Sequence, residues 1–236
     1  MRLLTSLAVG LTIGLAGCSP AKMEDKAFGQ KVRAYLLEHP ELLQEMSDRL
    51  QQKQRSQEAA VAKAGIKKNR MALERDSRDI VFNPDGKITV VEFFDYQCSY
   101  CKLTAPEVVE LVRQNPDVRV VLKDFIIFGP TSEYAAKAML AAKDSGKSLA
   151  LFQAMMAEKP LTEQAVDRIL TEQGLNPAGL KAEMAKPQIA KHLADTHTLA
   201  QELGLVGTPA FVIGDTLVPG ADMEAVKTAI AKARKG

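Results

Sequence analysis

Cys98 and Cys101 stand three residues apart where the apolar run Val90-Val91-Glu92-Phe93-Phe94 gives way to a helical pattern. That order places two thiols in the opening turn of a helix, where unpaired backbone N–H groups and the macrodipole favour a thiolate. A thiolate with a second thiol one turn away can exchange disulfides: one sulfur attacks and the other resolves the mixed disulfide. Cys98, nearest the dipole and the solvent, is the expected nucleophile. Cys101, one turn inside, is the expected resolving thiol, more shielded and higher in pKa. A structural bridge across so short a loop would stabilise little. A zinc site would need two more ligands, and His39, His192 and His197 come with no matching cysteine pair. No metal and no cofactor is assigned.

Glu92 falls in the middle of the apolar run, six residues before Cys98. A carboxylate there is desolvated, so its pKa should rise, which suits a proton acceptor for Cys101. Glu92 and Phe94 share one strand face, and Val91 and Phe93 the other. Far along the chain, Gly207-Thr208-Pro209 opens the apolar stretch Ala210-Phe211-Val212. Proline is allowed at a strand start, and the residues alone leave its peptide bond cis or trans.

The elements that must hold these residues follow from pattern. Ile80–Phe82 reads as a short strand, Asn83-Pro84-Asp85-Gly86 as a turn and Lys87–Phe94 as the central strand. After the cysteines, Leu103, Val108, Leu111 and Val112 form a helical stripe, with Pro106 inside it as an expected kink. Val118–Leu122 is a β-branched run of buried-strand type. A helical region of about 132–204 follows, broken at Pro160, Pro177 and Pro187. Strands return at Pro209–Ile213 and Thr216–Val218, and a last helix at Met223–Ala233. A strand–helix–strand unit crosses over right-handed, so its strands lie parallel and the hairpin then adds antiparallel ones. The fold class is α/β, a thioredoxin-like fold with an inserted helical domain.

Before it comes a helical arm. Val32, Tyr35, Leu36 and Leu37 precede Pro40, and Leu42, Leu43, Met46 and Leu50 give one apolar stripe. From Gln51 to Arg78 the segment is charged and glutamine-rich, with only Val61, Ile66, Met71 and Leu73 as larger apolar points, so such a helix buries little alone: it is an extended, solvated helix or, the favoured reading, a self-association arm. Residues 18–78 are assigned as tether and oligomerisation arm, and 79–236 as the catalytic domain. The chain of 236 residues, 46% hydrophobic and with a net charge of +2, carries no basic stripe interleaved with aromatics and no tryptophan, which argues against nucleic acid. At the N-terminus, Arg2 and the short apolar stretch Leu3–Ala16 read as a secretory signal, residues 1–17.

Three resemblances sharpen these expectations. Leu15-Ala16-Gly17-Cys18 resembles the bacterial lipobox, which implies lipidation of Cys18 and a membrane anchor; Ser19 resembles the residue of lipoproteins sorted to the outer membrane, with the folded part facing the periplasm. With Cys18 lipidated, Cys98 and Cys101 are the one pair left in an oxidising compartment. The strand–Cys-x-x-Cys–kinked-helix block, the helical insert and the Gly-Thr-Pro strand start resemble the DsbA family of thiol:disulfide oxidoreductases over about Asp79–Ala233. The resemblance implies that Pro209 is cis and faces the sulfurs, that Thr208 pairs with substrate backbone, and that the family's buried acid is Glu92. The arm before this domain resembles the ScsC and Com1-type branch, whose members form dimers or trimers.

Two departures bear on direction. DsbA itself has Pro-His between its cysteines and Val before the proline; this chain has Ser99-Tyr100 and Thr208. Tyr100 cannot carry the positive charge that steadies a thiolate, so a potential nearer to about −180 mV than to about −120 mV is expected. Tyr100 and Thr208 look more like the isomerases DsbC and DsbG. The implied function is disulfide interchange on cysteine-containing periplasmic or secreted proteins, favouring isomerisation by an oligomer. The alternatives are a dithiol oxidase recharged by a membrane redox partner and a carrier of Cu(I), which soft thiolates favour.

Overall fold

The computed structural model describes residues 26–235. Cys18 and the signal at 1–17 lie outside them. The described residues divide after Gln52 into two compact units. In the first, α1 (Lys26–Glu38) is followed by α2 (Glu41–Lys68), which continues into the second unit. Phe28, Tyr35, Leu37, Leu43, Met46 and Leu50 of this first unit are all more than half exposed.

The second unit contains the rest of α2, α3 (Arg70–Glu74), β1 (Ile80–Phe82), β2 (Ile88–Phe94), α4 (Ser99–Gln114), β3 (Val118–Asp124), α5 (Pro130–Ala141), α6 (Ser148–Ala157), α7 (Glu163–Glu172), α8 (Pro177–Met184), α9 (Pro187–Glu202), β4 (Ala210–Ile213), β5 (Thr216–Pro219) and α10 (Met223–Ala233). The sheet order is β1-β3-β2-β4-β5. β2 and β3 are parallel, with α4 as their crossover; the other neighbours are antiparallel. This is the expected thioredoxin-like arrangement with a helical insert.

Alternation along β2 divides the core. Val90 and Phe94 face a cluster that includes Cys98, Cys101, Val108 of α4 and Phe152 of α6. Val91 and Phe93 face a smaller cluster with Ile66, Leu73, Leu199 and Leu203. Ile66 and Leu73 are fully buried. Each such side chain contributes about 1.5–3 kcal/mol by leaving water. The boundary expected near Arg78 therefore differs from the packing: two apolar points in a charged segment suffice to seat 53–74 on the sheet. Gly65 permits the close approach, since a Cβ there would come within 2.5 Å of the Glu202 carbonyl oxygen at the end of α9.

β3 runs on to Asp124, two residues beyond the β-branched run, and is buried throughout. Lys123 is 1% exposed; its Nζ donates to Asp79 Oδ2 at 2.6 Å and to the Ala72 carbonyl at 2.6 Å. Asn83, with φ of 49°, donates from Nδ2 to the carbonyls of Val112, Asn115 and Val118, which ties the end of α4 to the start of β3.

Candidate functional site

β2 ends at Phe94, and Asp95-Tyr96-Gln97 carries the chain into α4. Asp95 governs this turn. Its Oδ1 accepts from Gln97 N–H (2.8 Å) and Ser132 Oγ (2.6 Å), and its Oδ2 from the N–H groups of Ile127 and Phe128 (2.8 and 3.0 Å). Its carbonyl accepts the Cys98 N–H at 3.2 Å. A fully buried carboxylate that accepts four hydrogen bonds holds the segment before the cysteines rigid. The sequence reading missed Asp95. The turn chemistry of an Asp two residues before Gln97 was the available signal.

Cys98 is the N-cap of α4, and its sulfur accepts the Cys101 N–H at 3.3 Å. The same sulfur lies 3.2 Å from the Thr208 carbonyl oxygen. Thr208–Pro209 is a cis peptide bond, so the structure has the isomer that the resemblance implied. The loop that carries it covers Cys98, which is only 2% exposed, against the expectation that it is open to solvent. Cys101 is 0% exposed. The Cys98 thiol is lowered to about 6, first by the hydrogen bond from the Cys101 thiol and then, against burial, by the Thr208 side-chain hydroxyl and the backbone N–H groups of Cys101 and Tyr100. Burial, and then donation to Cys98, pushes Cys101 far above the ordinary thiol range. The two thiols thus diverge in acidity, as a nucleophile and a resolving thiol require.

Glu92 is 0% exposed on the central strand, between Leu122 of β3 and Phe211 of β4. Its neighbours two residues either side, Val90 and Phe94, face the cluster of the two cysteines, so Glu92 does too. Neither of its oxygens has a hydrogen-bond partner among the described residues. Burial, and secondarily the charge on Cys98, raises it to about 8. A second buried carboxyl, Asp124, pairs with Phe94 across the ladder and is also raised to about 8, chiefly by burial. It was missed because the strand was expected to end at Leu122.

Tyr100 projects from the first turn of α4, 65% exposed. Leu103 (69%), Phe128 (51%) and Val206 (fully exposed) are further open apolar residues. Gln97 Nε2 donates to the Phe128 carbonyl at 3.0 Å, which keeps that loop against the turn before Cys98. The structure thus brings together Cys98, Cys101 and Thr208 directly, with Pro209 behind Thr208 and Glu92 beneath the sulfurs.

Among the described residues, Asp76, Asp79 and His192 form a group with metal-ligand atoms within 4.8 Å of one another. Arg78 already holds Asp76 through bonds of 2.6–3.2 Å, and Lys123 holds Asp79. A cation there would meet two fixed positive charges. Arg78, which holds Asp76 and also donates to Asp195 at 2.7 Å, ties the β1 approach to α9.

The family model described as DSBA-like thioredoxin domain matches residues 89–231. That of the copper resistance protein ScsC N-terminal domain matches residues 24–57. A thioredoxin-like oxidoreductase from Silicibacter pomeroyi is 42% identical, with a TM-score of 0.68, covering 71% of this chain and 99% of its own. BcfH from Salmonella enterica Typhimurium is 33% identical, with a TM-score of 0.73, covering 88% and 95%. Disulfide bond formation protein D of Bacillus subtilis is 27% identical over 166 residues, which are 64% of this chain and 75% of that protein.

Proposed function

Because the chain belongs to the DSBA-like thioredoxin domain family, whose chemistry is thiol–disulfide exchange, we propose that it is a periplasmic disulfide isomerase acting as an oligomer on cysteine-containing proteins. The carrying observation is the Cys98 sulfur, held between the Cys101 N–H and the Thr208 carbonyl.

The steps follow from that geometry. The Cys98 thiolate attacks one sulfur of a wrong substrate disulfide; a Cys98–substrate disulfide forms and one substrate thiolate leaves. Isomerisation completes when another substrate thiolate attacks the substrate sulfur of this bond. A new substrate disulfide forms, Cys98 leaves as the thiolate, and no net electrons pass. If the substrate stalls, Cys101 gives its proton to Glu92 and attacks Cys98 sulfur. The substrate then leaves reduced, and Cys98–Cys101 is left as the disulfide. Reversing these steps oxidises a dithiol substrate, and a membrane redox partner would then restore the Cys98–Cys101 disulfide. A carboxyl titrating at about 8 can take up or release that proton near neutral pH.

Direction rests on three features. Tyr100 and Thr208 replace the residues that make the strongest oxidants of this family. Substrate backbone would pair with Thr208 beside cis-Pro209. The exposed apolar residues of α1 and α2 support an arm that gathers two or three copies, placing several thiolates around one misfolded chain. Anchoring through a lipidated Cys18, at the outer membrane, would keep them there.

Rescue of scrambled ribonuclease by the full chain is the test. Oxidation of reduced ribonuclease without rescue would replace isomerase by oxidase. Cys98→Ser should abolish both activities. Cys101→Ser should accumulate a mixed disulfide with substrate, visible as a mass adduct.

A further inference from the structure

A groove of about 770 Å³ lies beside the dithiol, and the steps above make no use of it. Its floor belongs to the sheet face turned away from α4, where Ala210 of β4 pairs with Pro219 of β5 and Leu217 lies two residues along β5. One wall is the stretch of α2 that carries Ala59 and Ala62; the other is the 203–209 loop. The α2 wall is a fixed part of this unit. Gly65 brings α2 against the end of α9, and Lys68 and Asn69 both donate to the Glu202 carboxylate, at 3.1 and 2.6 Å.

The groove reaches Thr208, whose carbonyl is the one 3.2 Å from Cys98 Sγ. Val206, fully exposed, stands at its open side. β5 is the edge strand of the sheet, the position at which extended peptides add to a fold. The floor is apolar and the rim carries Arg55, Lys63 and Asp215, the pattern of a protein-binding surface with an apolar centre and a polar border.

We infer that this groove holds an extended, apolar segment of the substrate protein that flanks the cysteine under attack, so that α2 forms part of the substrate-selecting surface. The inference rests on the exchange function proposed above and adds where the substrate chain lies. A sulfur bonded to Cys98 is at Thr208, and the chain that carries it leaves along the 203–209 loop, into the groove. A small metabolite could fill such a volume. It would gain nothing from a line that starts at the reacting sulfur and follows an edge strand.

Two glutathionylated peptides test this with the full chain: one of about eight residues with Val and Leu on both sides of its cysteine, and N-acetylcysteine amide as the short control. The wild-type protein should favour the long peptide in kcat/KM by about tenfold or more, equivalent to about 1.4 kcal/mol. Ala59→Trp, a large side chain placed at an exposed position of the wall, should erase most of that preference through KM. Val206→Asp, at a fully exposed position, should do the same and serves where Ala59→Trp does not fold. Equal rates for the two peptides in the wild type, or a preference that survives both variants, would overturn the inference. A change in solution mass of Ala59→Trp by light scattering would also overturn it, since a second copy would then be the occupant. Glutathione disulfide with the wild type separates the two levels. No exchange there defeats the underlying function, whereas exchange without length preference defeats the groove alone.

Discussion

A Cys98 thiol lowered to about 6 is mostly thiolate at neutral pH, whereas Cys101 stays protonated. Alkylation by iodoacetamide should therefore modify Cys98 selectively, with a rate that rises through a midpoint near pH 6 and a parallel rise in thiolate absorbance. A midpoint near the ordinary thiol value would show that the hydrogen bonds from the Cys101 thiol and the Thr208 hydroxyl do not form in solution. Glu92 titrates in the opposite sense. Its carboxyl is raised from 4.5 to about 8, so between those values the folded state binds a proton that the unfolded state has lost. Stability then falls as pH rises through that window. Glu92→Gln should raise Tm, with a gain that is small near pH 4.5 and largest above pH 8. The same variant should slow the Cys101 attack by a factor on the order of 10², the usual worth of a positioned base. An unchanged rate would make Glu92 a bystander. The burial and raised pKa of Glu92 were legible because an acid in the middle of an apolar strand is desolvated. Asp95 and Asp124 were not legible, since one looked like an ordinary turn residue and the other lay past the expected strand end.

Among the elements, β3 carries the largest departure from expectation. Its last two residues are ionisable and yet buried: Lys123 turns to the α3 side and meets Asp79 at 2.6 Å, and burial raises Asp124 to about 8. Removing one partner of a buried pair leaves the other uncompensated, which costs about 3–5 kcal/mol. Lys123→Met and Asp79→Leu should each lower the unfolding free energy from urea titration by that order, and the double variant should recover much of the loss. Additive losses would show that the two groups do not pair. α2 offers a test of close packing. Gly65→Ala would gain about 1 kcal/mol of helix propensity, but its Cβ would lie 2.5 Å from a backbone oxygen of α9. Overpacking costs about 1–3 kcal/mol. A net loss of stability is expected in denaturant titration, and a net gain would place α2 away from α9. Periodicity alone could not foresee this contact, since Ile66 and Leu73 are too sparse to mark a buried stripe.

For the whole molecule, the packing of 53–74 onto the sheet relocates the cut that separates arm from catalyst. Removal of residues up to 52 should leave a folded, exchange-competent unit of lower solution mass that oxidises reduced ribonuclease but no longer rescues the scrambled form. A cut at 78 should expose the cluster around Phe93 and Leu203 and unfold part of the catalytic unit. Light scattering and ribonuclease assays on the two truncations decide this. The reaction class, the order of elements along the chain and the helical insert were readable from residue types and spacing, because each depends on neighbours within a few positions. The cover over Cys98, the cis bond at Pro209 as a physical fact, the burial of Lys123 and the seat of α2 come from contacts between segments distant in the chain. A local pattern carries the chemistry of a thiol at a helix start. How far that thiol is exposed, and which surface lies beside it, depends on which remote segment folds against it.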